Sequence, residues 1–81
     1  MNSITSIALK EKIDKADNFQ LIDVRELEEH AEFNIGGELI PLHEIVQRVA
    51  AISTDKPVII YCRKGIRSQI AIQRLQEKFP F

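Results

Sequence analysis

Apolar residues in this chain fall into short continuous runs that alternate with segments of helical spacing. The runs FQLIDVR, ELIPL and VIIYC are mostly apolar, which is typical of strands buried within a parallel sheet. Elsewhere, apolar positions recur every three or four residues, as they do along one face of a helix. The predicted elements are, in chain order, a helix within residues 4–17, a strand at 19–25, a helix at 26–33, a strand at 38–42, a helix at 43–52, a strand at 58–62 and a helix at 68–79.

Strands that alternate with helices predict the α/β class, here a small parallel sheet flanked by helices. Gly36 and Gly37 predict a turn before the second strand, because glycine adopts positive φ without a steric penalty. Pro41 indicates that this strand lies at a sheet edge. The predicted core includes an apolar stripe in each of two helices, namely Ile45, Val49 and Ile52 in the first and Ile70, Leu75 and Phe79 in the second.

Parallel sheets bind ligands beyond the carboxyl ends of their strands. Cys62 lies at the end of one predicted strand, and Asp23 and Arg25 lie at the end of another. A chain of 81 residues is long enough for one domain. We therefore expect a single domain over residues 1–81 with its functional site near these three side chains.

Composition narrows the range of partners. The net charge is −1, with 11 basic and 12 acidic residues, so no general attraction to nucleic acid or membranes is expected. The sequence has one cysteine and no run of about 20 apolar residues. It therefore predicts no internal disulfide, metal site, cofactor or membrane span. The first residues do not form the unbroken apolar stretch of a signal peptide. A soluble, cytoplasmic protein is the expectation.

Cys62 is the residue with the strongest chemical signal. A lone cysteine after an apolar strand is usually a small buried hydrophobe. Arg63, Lys64 and Arg67 follow it closely, however, and cations favour the thiolate form. The pattern predicts a reactive thiolate.

The loop after Cys62 is also suited to bind an anion. Gly65 allows the backbone to bend so that successive N–H groups point at one spot. Ser68 is a favourable opening residue for the helix that follows, and a helix N-terminus adds positive potential. Cys62 is therefore expected to lie against an anion-binding loop.

Two segments resemble the rhodanese family. VIIYCRKGIRS resembles its active-site signature, in which a strand ends in Tyr-Cys and a loop of the form C-R-x-G-x-R leads into a helix. LIDVRELEEHAEFNIGGELIPL resembles its other hallmark, Asp-x-Arg followed by an acidic helix and a glycine-containing turn. The resemblance runs from about Ile4 to Phe79. It implies a rhodanese-like fold and a sulfurtransferase that carries sulfane sulfur as a cysteine persulfide.

The resemblance also implies roles for individual residues. Cys62 matches the nucleophile, the loop of Arg63, Lys64, Gly65, Ile66 and Arg67 matches the cradle for the outer sulfur, and Asp23 and Arg25 match a supporting pair. For Asp23, a purely structural role as a hydrogen-bond acceptor is an equal alternative. The implied donor is thiosulfate, another small sulfur donor or a persulfide-carrying protein.

The sequence departs from the usual family pattern at two places. The turn of Asn34, Ile35, Gly36 and Gly37 replaces the common His-Ile-Pro-Gly, and is similar to rhodanese domains fused to the adenylating enzymes of molybdopterin and thiamine synthesis. An adenylating enzyme and a sulfur-carrier protein are therefore expected partners. The family's usual last strand has no counterpart after Phe79. C-terminal truncation, self-association through the exposed edge beside VIIYC, and coverage by the N-terminal segment are all open explanations.

Three other functions are alternatives. A cysteine-dependent phosphatase or arsenate reductase also pairs a cysteine with an anion-binding loop, but its C-x5-R loop is one residue longer than the loop from Cys62 to Arg67. A non-catalytic regulatory or scaffolding rhodanese module commonly lacks the cysteine. A redox-sensing thiol would form a sulfenic acid on Cys62, and the chain contains no second cysteine to resolve it.

Overall fold

The computed structural model describes residues 2–3 and 18–79. Four parallel strands form one sheet in the order β1-β4-β2-β3. The strands are β1 (Asn2–Ser3), β2 (Gln20–Asp23), β3 (Glu38–Leu39) and β4 (Val58–Tyr61). The central pair aligns Gln20 with Val58 and Asp23 with Tyr61. The prediction of a small parallel sheet is confirmed, and β3 is an edge strand, as Pro41 indicated.

Two helices are described. Helix α1 spans Leu27–Glu32 and α2 spans Ile66–Lys78. Both match predicted helices, although α2 begins two residues before the predicted opening residue Ser68. No helix in the described ranges is long and apolar enough to cross a membrane. The predicted helix within residues 4–17 lies outside the described residues.

The prediction of a helix at residues 43–52 is wrong. The chain there forms two short 3-10 turns, Leu42–Glu44 and Val49–Ala51. Contacts with the rest of the fold set this shape, because the Gln20 side chain donates to the Ala51 carbonyl at 2.7 Å and accepts from the Ser53 N–H at 2.6 Å. Four of the segment's residues are β-branched and stiff at χ1, which further weakens the helical alternative.

Two of the three residues in the predicted apolar stripe of that segment are nevertheless buried, and the third, Val49, is half-buried against the core. Ile45 is fully buried and Ile52 nearly so, and both belong to the main core with Leu75. In α2 the buried residue next to Leu75 is Ala71, whereas Ile70 is half-buried. All four residues of β4 are buried, as expected for a strand covered on both faces.

The predicted glycine turn is confirmed. Gly36 and Gly37 have φ of 93° and 87°, values that other residues adopt only with strain. A Cβ atom on Gly37 would lie 2.8 Å from the Leu21 carbonyl oxygen. This turn therefore needs glycine at position 37 both for its φ and for the close approach to β2.

The edge of β4 that faces away from β2 is paired with the N-terminal strand. Asn2 aligns with Ile59 and Ser3 with Ile60. Of the explanations that the sequence left open for this edge, the structure supports coverage by the N-terminal segment. The pairing is only two residues long.

Candidate active site

Cys62 follows β4 directly and is 7% exposed. β4 is anchored between two strands, so the position of its last residues is fixed by the sheet. The chain then turns through Arg63 and Lys64 to Gly65, which is the N-cap of α2. The Cys62 sulfur thus lies at the carboxyl end of the sheet and close to a helix N-terminus, where the sequence predicted it.

Backbone N–H groups converge on the Cys62 sulfur. The Gly65 N–H donates to Sγ at 3.1 Å, and the Ser68 N–H donates at 3.3 Å. Gly65 has φ of 87°, the left-handed conformation that lets the loop fold back over the sulfur. The predicted anion-binding loop is therefore present in its backbone geometry.

Ser68 supplies a third contact to the sulfur. Its hydroxyl oxygen lies 3.7 Å from Sγ, and the hydroxyl donates to the Gly65 carbonyl at 3.0 Å. The side chain is fully buried. Ser68 lies in the first turn of α2 and is not its opening residue, so its hydroxyl faces the sulfur and does not cap the helix.

These contacts lower the pKa of the Cys62 thiol. Burial acts to raise that pKa, but the hydrogen bonds from Ser68 and from the Gly65 and Lys64 backbone together outweigh it. Sequence reasoning assigned this effect to cationic side chains and backbone N–H groups together. In the structure the causes are backbone N–H groups that donate to the sulfur and the hydrogen bond between the thiol and the Ser68 side chain.

The loop cations are placed differently from the prediction. Both Arg67 Nη atoms donate to the Glu29 carboxylate, at 2.6 and 3.0 Å. Arg63 and Lys64 are exposed, and neither forms an ion pair within the described part of the chain. Ile66 is also exposed, at 65%. Arg67 is thus fixed on α1, while the charge of Arg63 is available to the site.

Asp23 is the centre of a buried hydrogen-bond network. Its carboxylate accepts from the Arg25 N–H and guanidinium at 2.9–3.2 Å, from His30 Nδ1 at 2.8 Å and from the Tyr61 hydroxyl at 3.0 Å. Arg25 also donates to the Phe33 carbonyl at 2.7 Å. Burial acts to raise the pKa of Asp23, but these donors lower it overall. Asp23 therefore has the geometry of the structural acceptor.

An open cavity of about 360 Å³ lies beside Cys62. Its walls combine charged, aromatic and aliphatic side chains. They are formed by Arg25, Glu29, Glu32, Phe33, Ile35, Tyr61, Cys62 and Arg63. The cavity can admit a small molecule or an extended segment of a partner.

Of the residues predicted for the site, Cys62, Arg63 and Arg25 line the cavity, and Gly65 contacts the Cys62 sulfur. Asp23 does not line the cavity and is bound to Arg25, which does. Sequence reasoning missed Glu29, Ser68 and Tyr61 as site residues. Glu29 had a recognisable sequence signal. It lies three residues after Glu26, the N-cap of α1, and a glutamate at this N3 position is typical of a capping box. In the structure, Glu29 Oε1 accepts a hydrogen bond from the Glu26 N–H at 3.1 Å.

Residues 5–81 match the family described as rhodanese-like domain. The chain belongs to this family. A rhodanese-like domain protein from Staphylococcus aureus has 30% sequence identity and a TM-score of 0.79, over 96% of this chain and 78% of that chain. The rhodanese-like fold expected from the sequence is thereby confirmed.

Relatives of this rhodanese-like domain include proteins named for sulfur chemistry. A protein named "Sulfurtransferase" from Allochromatium vinosum is 34% identical over 96% of this chain and 74% of its own length. The "Putative sulfur carrier protein YrkF" of Bacillus subtilis is 32% identical over 88% of this chain. The domain spans only 39% of that protein and 47% of the Bacillus subtilis protein YqhL, to which it is 48% identical.

Proposed function

We propose that this rhodanese-like domain is a sulfurtransferase in which Cys62 carries sulfane sulfur as a persulfide. The observation that carries the proposal is the convergence of two backbone N–H groups on the sulfur of Cys62, a residue that lines an open cavity and whose sulfur also contacts the Ser68 hydroxyl oxygen. A structural cysteine does not need this arrangement. The sulfurtransferase name of a relative supports the same conclusion.

In the first half-reaction the Cys62 thiolate attacks the sulfane sulfur of a donor. A new bond forms from Sγ to that sulfur, and the bond between the sulfur and the rest of the donor breaks. The leaving group departs with the electron pair, as sulfite if the donor is thiosulfate. The transferred sulfur keeps its oxidation state, so the step requires no external oxidant or reductant.

In the second half-reaction a nucleophilic acceptor attacks the outer sulfur. The acceptor forms a bond to it, the Sγ–S bond breaks, and the Cys62 thiolate is regenerated with its electron pair. The same N–H donors stabilise the thiolate as attacking group and as leaving group. A thiol or thiolate is the expected cellular acceptor of the sulfur. That a sulfur-carrier protein and its adenylating enzyme are partners of this domain stays a prediction.

The other predicted residues receive supporting roles in this proposal. The loop of Arg63, Lys64, Gly65, Ile66 and Arg67 surrounds the outer sulfur, with its N–H groups as the donors. Arg25, fixed by Asp23, forms one wall of the cavity. The loop is shorter than a C-x5-R phosphatase loop, and Arg67, the arginine at its end, is already bound to Glu29. The geometry therefore favours sulfur over phosphate transfer.

Replacement of the nucleophile tests the proposal. Cys62→Ser should abolish transfer of sulfur to cyanide from either thiosulfate or cysteine persulfide, because the serine hydroxyl has no sulfur atom and cannot form a persulfide. Thr54→Ala, an exposed change on the loop before β4, should keep wild-type activity. Thiocyanate formation is the readout, and circular dichroism checks the fold. Full activity in the serine variant would refute the role of Cys62.

A further inference from the structure

Glu29 joins the start of α1 to the start of α2. Its two carboxylate oxygens accept from the two Nη atoms of Arg67, at 2.6 and 3.0 Å. The two residues are 38 positions apart in the sequence, so the fold alone brings them together. Glu29 also lines the cavity beside Cys62. Paired, charge-assisted hydrogen bonds of this kind fix the relative orientation of two groups as well as their distance.

The Glu29 carboxylate is itself held in place by α1. Its Oε1 accepts from the Glu26 N–H at 3.1 Å, at the N-terminus of the helix. The next residue, His30, is bound through Nδ1 to the Asp23 carboxylate at the end of β2, at 2.8 Å. α1 therefore presents the Glu29 carboxylate to Arg67 from a position that is fixed on the sheet.

The first turn of α2 carries the N–H groups that contact the Cys62 sulfur. They belong to Gly65 and Ser68, and Arg67 lies directly before Ser68. The first N–H groups of a helix have no partner within the helix. Gly65, the N-cap, forms no side-chain hydrogen bond to the turn, and glycine leaves the backbone more freedom than any other residue. A restraint on Arg67 is therefore a restraint on the donors to the sulfur.

Loss of Glu29 would have two opposite effects on the thiol. The Arg67 charge interacts with Cys62, and removal of Glu29 leaves that charge uncompensated, which favours the thiolate. Release of the N–H donors disfavours the thiolate. The hydrogen bond from Arg67 lowers the pKa of Glu29 to about 2, so the pair is ionised wherever the thiol titrates. The direction in which the thiol pKa changes therefore shows which effect dominates.

We propose, building on the sulfur-transfer function above, that Glu29 is a positioning residue that acts through Arg67 to keep the Gly65 and Ser68 N–H groups directed at the Cys62 sulfur. The thiolate is consumed in the first half-reaction and regenerated in the second, so the same donors are needed twice in each turnover. Donors that are already in place stabilise a developing charge without reorganisation. Glu29 supplies this pre-organisation from outside the loop and takes part in no bond-making step.

Glu29→Gln tests the positioning role. Glutamine keeps an oxygen that can accept from the Glu26 N–H, but it removes one of the two acceptors for Arg67. We expect the pKa of the Cys62 thiol to rise. We also expect kcat/KM for sulfur transfer from thiosulfate to cyanide to fall about tenfold, the effect of weakening one hydrogen bond to a charged group. Iodoacetamide labelling over a pH series gives the pKa, and thiocyanate formation gives the rate. Glu28→Gln, an exposed change on α1, is the matched control and should change neither.

Glu29→Asp separates position from charge. Aspartate keeps the carboxylate charge, but its side chain is one methylene shorter and does not reach both Nη atoms of Arg67. This variant should also raise the thiol pKa, whereas a role limited to charge compensation predicts the wild-type value. Arg67→Gln then tests the route of the effect. Glu29→Gln should have little further effect when combined with Arg67→Gln, because a residue that acts through another gives non-additive changes.

The outcomes separate this role from the function that it serves. A thiol pKa that falls or stays unchanged in folded Glu29→Gln would refute the positioning role and leave sulfur transfer standing. Full additivity with Arg67→Gln would refute it as well. If circular dichroism shows that Glu29→Gln does not fold, Glu29→Asp decides the question. If wild-type Cys62 gains no sulfur from thiosulfate or cysteine persulfide, the proposed function fails, and the thiol pKa of the variants still reports whether Glu29 positions the donors.

Discussion

At the scale of single residues, Ser68 and Gly65 determine the reactivity of Cys62. Both place N–H groups on its sulfur, and Ser68 adds its hydroxyl. The sequence predicted a low thiol pKa from Gly65 and the nearby cations, and the direction agrees with the structure. It did not identify Ser68, because only the start of α2 at Ile66 turns that side chain inward onto the sulfur.

Ser68→Ala should raise the pKa of the Cys62 thiol and slow its alkylation at neutral pH. The variant loses the hydroxyl contact, which is one of the causes that hold the pKa down, and keeps the N–H contacts. The expected rise in the pKa reflects the loss of one hydrogen bond that favours the thiolate. Iodoacetamide labelling over a pH series measures it, with Thr54→Ala as the control. An unchanged titration would show that the hydroxyl does not stabilise the thiolate.

At the scale of elements, the Asp23 network joins β2, α1 and β4 behind the site. The Asp23 carboxylate at the end of β2 binds His30 on α1 and Tyr61 on β4. The sequence predicted that Asp23 and Arg25 lie at a strand end near the site, and they do. It could not predict His30 or Tyr61 as partners, because they are brought to Asp23 only by the helix position and the β2–β4 register.

Asp23→Asn should destabilise the domain by about 3–5 kcal/mol, because it leaves the buried Arg25 guanidinium without its counter-charge. The pKa of Asp23 is lowered on folding from 3.8, so the carboxylate contributes its full stability above that value. The contribution is lost as the pH falls through the lower folded pKa. The difference between wild type and variant should therefore shrink in acid.

Urea unfolding at pH 7 and at several values below pH 4 measures this dependence. Glu28→Gln, which changes an exposed carboxylate, is the control. A difference that stays constant through the acid range would contradict the role of the Asp23 charge.

The incorrect prediction of a helix at residues 43–52 also concerns a whole element. Apolar spacing identified Ile45 and Ile52 as buried, and they are. Spacing of this kind does not separate an α-helix from successive 3-10 turns, since both can direct such residues inward. The hydrogen bonds from Gln20 that hold the segment come from 31 residues away along the chain, beyond the reach of any local pattern.

At the scale of the whole molecule, stability depends on how the β4 edge is covered. The family resemblance indicated that edge as a weak point, and the structure pairs it with β1 over two residues. The strand order could not be read from the local patterns, since the two-residue β1 has no apolar run to mark it. The N-terminal residues therefore protect the strand that directly precedes Cys62.

Deletion of residues 1–3 should expose the β4 edge. We expect a loss of about 1–2 kcal/mol from the missing backbone hydrogen bonds, and an increase in self-association at high concentration. Thermal melts and light scattering measure both, and Asn2→Ala, which keeps the backbone, is the matched control. An unchanged melting temperature with no increase in mass would show that the edge does not need β1.

Detection of sulfur on Cys62 tests the central claim most directly. The protein is incubated with cysteine persulfide or thiosulfate, freed of donor by gel filtration, and analysed by intact-mass and peptide mass spectrometry. The account predicts a gain of one sulfur atom located on Cys62, its removal by cyanide with formation of thiocyanate, and no gain in Cys62→Ser. A folded wild-type protein that gains no sulfur from any donor, or that holds it without release to cyanide, would contradict the account.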